Sequence, residues 1–253
     1  MDADERRRAI LTVVRRDGSA EVTPLSADLT VSPETVRRDL RLLEEQGLIR
    51  RTHGCAYPVE GAGFETSLAQ RTTNFLPQKT RIAGAAVSLL GNAATVFVDE
   101  GFTPQLIAEA LPQDRALTVV TASLTTARAL AERRGFQVLM LGGRVRGNTL
   151  ATVDVWAVRM LSEMVIDVAY VGANGISREH GLTTPDTAVG HVKAQAVRSA
   201  RRRIFFGIHT KFGAVSFHRF AEPKDFEVIV TDTGLSTTEA QRYACLGPQV
   251  IRV

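Results

Sequence analysis

The segment SPETVRRDLRLLEEQG (32–47) concentrates residue types suited to reading a nucleic acid. Ser32 is a good helix N-cap, and Pro33 suits the first helical position, where its missing N–H has no partner to lose. Val36, Leu40 and Leu43 recur at helical spacing, with Leu48 following, and predict a buried stripe. Glu34, Thr35, Arg37, Arg38 and Arg41 fall elsewhere on that helix, mostly toward its N-terminal half. A guanidinium presents a fork of donors that matches guanine O6 and N7 or a phosphate. Thr35 can bond a base edge or a phosphate. Arg50, Arg51 and His53 follow on a short strand and turn suited to backbone or minor-groove contact.

A second constellation stands at the ends of apolar runs. Asp99, Gly101 and Thr103 follow ATVFV; Thr121 and Ser123 close LTVVT; Gly142 and Gly143 follow FQVLML. Gly172, Asn174 and Gly175 follow DVAYV, and Lys211 follows RIFFGI. Glycine permits close backbone approach, hydroxyls donate, and a following helix N-terminus favours an anion. That chemistry suits a phosphate group, although no single loop is a P-loop or a dinucleotide fingerprint.

The chain that carries both sets of residues divides near residue 58. Residues 1–58 read as three helices and a short β tail. Ile10, Leu11 and Val14 share one helical face, Gly18 stops the first helix, and Pro24 opens a second that holds Leu25 and Leu29. The third runs from Pro33 to Gln46. Residues 59–78, with Gly61, Gly63 and Pro77, read as a linker. From Lys79 to 253, apolar runs at 94–99, 117–121, 136–141, 167–172, 203–208, 226–232 and 249–253 alternate with helical stretches. Such alternation predicts an α/β domain with a mostly parallel sheet covered on both faces. RSARRR (198–203) reads as the solvated end of a helix, and His191 as an ordinary helix-surface histidine.

Composition narrows the function classes. The 253 residues are 44% hydrophobic and 23% charged, an ordinary globular balance. No run of about 18 apolar residues predicts a membrane span, and MDADERRRAI lacks the apolar core of a secretory signal, so a cytoplasmic location is expected. Two cysteines, Cys55 and Cys245, make neither a disulfide framework nor a four-cysteine zinc site; no metal or cofactor is expected. The net charge of +4 is weak evidence for DNA, and residues 1–58, with ten arginines and ten acids, are formally neutral. Placement rather than charge carries the DNA reading. Only four of the 31 basic residues are lysines: Lys79, Lys193, Lys211 and Lys224.

VSPETVRRDLRLLEEQGLIRRTHGCA resembles the helix-turn-helix signature of the DeoR family of bacterial transcription regulators, through its Ser-x-x-Thr-x-Arg-Arg-Asp-Leu core and Arg-x-His-Gly tail. The resemblance implies an N-terminal winged helix-turn-helix joined to an α/β sensor domain similar to ribose-5-phosphate isomerase. It makes Thr35, Arg37 and Arg38 the leading DNA contacts and gives Asp39 a structural role. Arg71, Asn74 and the Lys79-x-x-Ile82-Ala83 segment look like the start of the sensor. Asp99, Gly101, Thr103, Thr121, Ser123, Gly142, Gly143, Gly172, Asn174, Gly175, Lys193, Lys211 and Asp232 match the family. Cys55, Phe102, Ala122, Asp154, Val189 and Ile208 depart from it: glycine is usual at the Cys55 position and frequent near Asp154, and polar residues are usual at the other four. Those apolar replacements lose hydrogen bonds to a polar ligand.

The resulting expectation is a non-enzymatic DNA-binding regulator, a repressor of carbohydrate genes modulated by a phosphorylated sugar or related metabolite. Its partners would be an inverted-repeat operator and a second copy, as homodimer or homotetramer, because two recognition helices must sit about 34–36 Å apart or a multiple of it. Two alternatives stand beside it: a sugar-phosphate isomerase with Asp99 or Glu100 as base, and a DNA-binding dimer whose sensor is ligand-silent.

Overall fold

The computed structural model describes residues 2–45, 48–52, 55–59, 72 and 75–253. Gln46, His53, Arg71, Asn74 and most of the expected linker, with Gly61 and Gly63, lie outside the described residues.

The chain begins with α1 (Ala3–Asp17), opened by a reciprocal Asp2–Glu5 capping box and closed at Gly18, whose φ of +74° suits a residue without Cβ. β1 (Ala20–Glu21) leads to α2 (Val22–Asp28), two residues ahead of the expected start at Pro24. A proline within the first turn loses no intrahelical bond, so the helix forms around it. α3 (Pro33–Glu45) follows, with the Ser32 hydroxyl accepting the Thr35 N–H at 3.2 Å. β2 (Ile49–Thr52) and β3 (Cys55–Pro58) pair as an antiparallel wing, with β1 on the outer side of β3. Ile10, Val14, Leu25, Val36, Leu40, Leu43, Ile49 and Ala56 close one buried cluster. Asp39 is buried beside it and accepts from Arg6 Nε at 2.6 Å, tying α3 to α1.

The second half opens with α4 (Leu76–Ser88), three residues before the expected boundary, with Pro77 in its first turn rather than in a linker. There follow β4 (Thr95–Val98), α5 (Phe102–Ala110), β5 (Leu117–Thr121), α6 (Leu124–Ala131), β6 (Phe136–Met140), β7 (Arg144–Arg146), β8 (Ala151–Val153) and α7 (Val155–Ser162). Then come β9 (Ile166–Val171), β10 (Gly175–Ser177), β11 (Gly181–Thr184), α8 (Thr187–Ser199), β12 (Ala200–Phe206), β13 (His218–Ala221), β14 (Val228–Thr231), α9 (Thr237–Ala244) and β15 (Gln249–Arg252). The seven apolar runs form a single sheet, ordered β15–β14–β12–β9–β4–β5–β6, parallel throughout.

Strand alternation splits the core between the two faces. Val96, Val98, Val168, Tyr170, Ile204 and Phe206 pack under α4 and α5, while Phe97, Ala169, Val171 and Phe205 pack under α7, α8 and α9. The RSARRR expectation is corrected here: α8 ends at Ser199 and β12 begins at once, so Arg201–Arg203 lie on a strand. Arg202 there contacts Glu227 and the Leu89 carbonyl. Two antiparallel additions also escaped the alternation, the β7–β8 hairpin and the β10–β11–β13 sheet. Both consist of strands of three or four residues, too short to carry a pattern.

Candidate DNA interface and effector pocket

On α3, Glu34, Arg37, Arg38 and Arg41 are exposed, as is Ser32 at its cap. Thr35 is half-buried, its hydroxyl 2.9 Å from that of Ser32. Arg37 pairs with Glu34 at 3.1 Å, an i,i+3 contact weak enough in water to yield to a phosphate. The face opposite Val36, Leu40 and Leu43 is thus a row of guanidinium groups around a hydroxyl.

The wing divides its two arginines. Side chains alternate along a strand, so Ile49 and Arg51 share one face of the hairpin and Arg50 the other. Arg51 lies on the face of the helical core, its backbone N–H donating to Glu44 and its guanidinium 3.9 Å from the same carboxylate. Arg50, expected as a backbone or minor-groove contact of the wing, instead turns toward the second half of the chain and donates to the Thr210 carbonyl.

In the parallel sheet the chain winds outward from β4 through β5 to β6, and from β9 through β12 to β14. The crevice beyond the carboxyl ends of β4 and β9 is therefore the topological switch point, where ligands of open α/β sheets bind. A cavity of about 170 Å³ lies there. Gly101, Thr103, Gly172, Asn174, Lys193 and Lys211 line it. Asp99 does not line it: it is buried, accepts the Gly172 N–H at 2.8 Å and pairs with the lining Lys193. Lys193 Nζ also stands 3.9 Å from Glu100 and 3.3 Å from the Gly172 carbonyl. Gly101 takes φ +116° at the N-cap of α5, with no side chain among the described residues capping the helix, and Gly101, Phe102 and Thr103 line the cavity. On the adjoining loop, burial opposes ionisation of Asp232, yet hydrogen bonds from the His209 ring and backbone N–H hold its carboxyl below the usual carboxylate range.

Six expected effector residues do not line this cavity: Asp99, which reaches it only through Lys193, and five others. The β7–β8 hairpin lies across the ends of β5 and β6, and the Thr152 hydroxyl donates to the Leu141 carbonyl at 2.8 Å, with that of Ala122 at 3.2 Å. Beneath it, Ser123 caps α6 and the Thr121 hydroxyl accepts the Ser123 N–H, so both hydroxyls are engaged in the fold. Gly142 and Gly143 enter the hairpin; a Cβ on Gly143 would stand 2.0 Å from the Val153 carbonyl. Gly175 starts β10, where a Cβ would meet the Ala214 carbonyl at 2.3 Å. Among the departures, Phe102 and Ile208 line the cavity, whereas Ala122 and Val189 are buried elsewhere.

Family models match the chain on either side of the division: a DeoR-like helix-turn-helix domain over residues 6–60 and a DeoR C-terminal sensor domain over residues 75–233. The chain belongs to the DeoR family. It is accordingly a DNA-binding transcription regulator rather than an enzyme. Relatives include the HTH-type transcriptional regulator GlpR of Haloferax volcanii, 33% identical over 98% of this chain and 96% of that protein. The glycerol-3-phosphate regulon repressor of Escherichia coli K12 is 28% identical, with 92% of each chain covered. Among solved structures, ribose 5-phosphate isomerase A of Methanocaldococcus jannaschii is similar over 53% of each chain, with 16% identity and a TM-score of 0.38.

Motif reading passed over several residues of this regulator's pocket. Lys79 is buried on α4, its Nζ 5.6 Å from the Phe102 ring centroid. Tyr57, Phe75 and Thr210 also line the cavity, as does Glu100, which the sequence offered only as a base for the isomerase alternative. One signal was available: in an arginine-rich chain with four lysines, three of them, Lys79, Lys193 and Lys211, converge on one cavity. The fourth, Lys224, pairs with Glu222 at the surface. His191, read as isolated, faces His218 of β13 at 5.3 Å between ring centroids. Among the described residues no cluster of three or more metal-ligating side chains occurs, and no helix is long and apolar enough to cross a membrane.

Proposed function

We propose that the chain is a cytoplasmic repressor that binds an inverted-repeat operator as a homodimer or homotetramer and releases or tightens on it when a small phosphorylated metabolite enters the cavity at the β4–β9 switch point. The observation that carries this reading is the convergence of Lys79, Lys193 and Lys211 on a cavity flanked by the uncapped N-terminus of α5. Cations and free amides together favour an anion. A cavity of about 170 Å³ is many times the minimum of about 10–15 Å³ that admits one water, which suits a small metabolite better than a lone ion. The names of the relatives, glycerol-3-phosphate regulon repressors among them, support the same chemical class. Residues 1–58 serve as the DNA-binding domain, with Ser32, Glu34, Thr35, Arg37, Arg38 and Arg41 against the duplex and Arg51 on the wing. Residues from about 75 onward serve as the sensor. Phe102 and Ile208 trim the polar complement of the cavity and bias it toward a ligand with an apolar edge.

Footprinting on DNA upstream of the protein's own gene, with and without a panel of sugar and polyol phosphates, tests the reading. A footprint that one compound abolishes or strengthens is the expected result. A footprint indifferent to every compound would replace the sensing role with a ligand-silent scaffold.

A further inference from the structure

The cavity is not built by the sensor half alone. Arg50 and Tyr57 are paired across the wing hairpin and share the face opposite the buried Ile49 and Ala56. That face roofs the cavity, and both residues line it together with Pro58 and Val59. The Tyr57 ring lies 5.7 Å from Phe75, whose ring meets His209 edge-on at 5.5 Å, so the wing is seated on the sensor by an aromatic stack. Arg50 reaches past this stack to the Thr210 carbonyl, one residue before Lys211. Among the described residues Arg50 forms no ion pair, and burial disfavours its charged form. A guanidinium satisfied only by a carbonyl, half-buried in the wall of a cavity that three lysines also line, is a charge that an anion would stabilise.

We infer that Arg50 is an effector ligand supplied by the DNA-binding wing, so that a phosphorylated metabolite bridges the two halves and is completed as a site only when the wing is seated. The inference rests on the phosphate-sensing reading above. Its consequence is a direct route of regulation: the strand pair that flanks the recognition helix is itself part of the pocket wall. Effector and operator then compete for, or share, one placement of the wing, and each changes the other's affinity by the same factor.

The test uses the full chain and calorimetric titration with inorganic phosphate, glycerol 3-phosphate, fructose 1-phosphate, glucose 6-phosphate and, as uncharged comparison, glycerol. Arg50→Met is expected to bind the preferred phosphorylated probe at least tenfold more weakly and to lose the effect of that probe on operator affinity. Arg50→Lys should recover part of both, because it restores the charge without the fork. Arg242→Met removes a surface ion pair with Glu239 and should bind as the parent does. Melting curves of each variant separate lost binding from lost folding. Equal probe affinity and equal coupling in folded Arg50→Met would overturn the inference and leave phosphate sensing intact. A parent protein that binds none of the phosphorylated probes would overturn phosphate sensing, and the inference with it.

Discussion

Arg38 and Lys193 illustrate two uses of a positive side chain. Arg38 is exposed on α3 and forms no ion pair among the described residues. Arg38→Ala should therefore weaken operator binding about ten- to a hundredfold in fluorescence anisotropy while leaving the melting curve in place. An unchanged affinity would remove Arg38 from the interface. Lys193 is buried against Asp99 and Glu100. Removing one partner of such a pair strands the other charge, so Lys193→Met should cost about 3–5 kcal/mol in urea unfolding. Adding Asp99→Asn to that variant should recover much of the loss. A double variant no more stable than the single one would mean that the pair is not the source. The sequence identified both residues as candidates. It did not separate a free cation from a paired one, because pairing depends on residues 94 positions apart.

At the scale of elements, the β7–β8 hairpin shows where sequence reading stopped. Glycines and hydroxyls after β5 and β6 have the composition of a binding loop, and they serve instead to seat a hairpin and cap α6. One departure from the family pattern is explained at the same hairpin. Asp154 takes φ +82° and ψ −173°, a conformation open to glycine and strained for aspartate. Its surface ion pair with Arg144, at 3.0 Å, repays less than about 1 kcal/mol. Relief of the strain is worth about 1–3 kcal/mol. Asp154→Gly should thus raise the melting temperature by a few degrees in differential scanning calorimetry. A lower melting temperature would show that the ion pair outweighs the strain. The third helix was the most legible element, since its cap, its opening proline and its apolar stripe all agree with the fold.

At the scale of the whole molecule, stability and regulation both run through contacts between distant segments. His218 of β13 packs against His191 of α8, with Asp186 nearby. Burial, and then the neighbouring His191, push its imidazole below the ordinary histidine range, while Asp186 opposes them. The folded state therefore favours neutral His218. Its contribution is fully present above about pH 6.5, the unperturbed value, and is lost as pH falls through the lowered folded value. The melting temperature should decline on acidification below pH 6.5, and His218→Gln should flatten that decline. An identical slope in the variant would clear His218 of the effect. On the same scale, the seating of the wing over the cavity joins residues about 160 positions apart through the Arg50–Thr210 contact.

The features legible in the amino-acid sequence are local or periodic. The capped third helix, the seven apolar strands, the change of pattern after residue 58 and the family motif all follow from spacing within a few residues, because hydrophobic periodicity and capping are short-range physics. The tertiary structure alone decided which strand ends share a crevice, since sheet order sets that and no single strand encodes it. It alone showed that a hairpin covers the ends of β5 and β6, and that lysines 79, 193 and 211 meet. It also turned Arg50 from the expected DNA face to the pocket. Alternation puts adjacent residues on opposite faces of a strand, but only the packing of the wing against the sensor says which face looks at what.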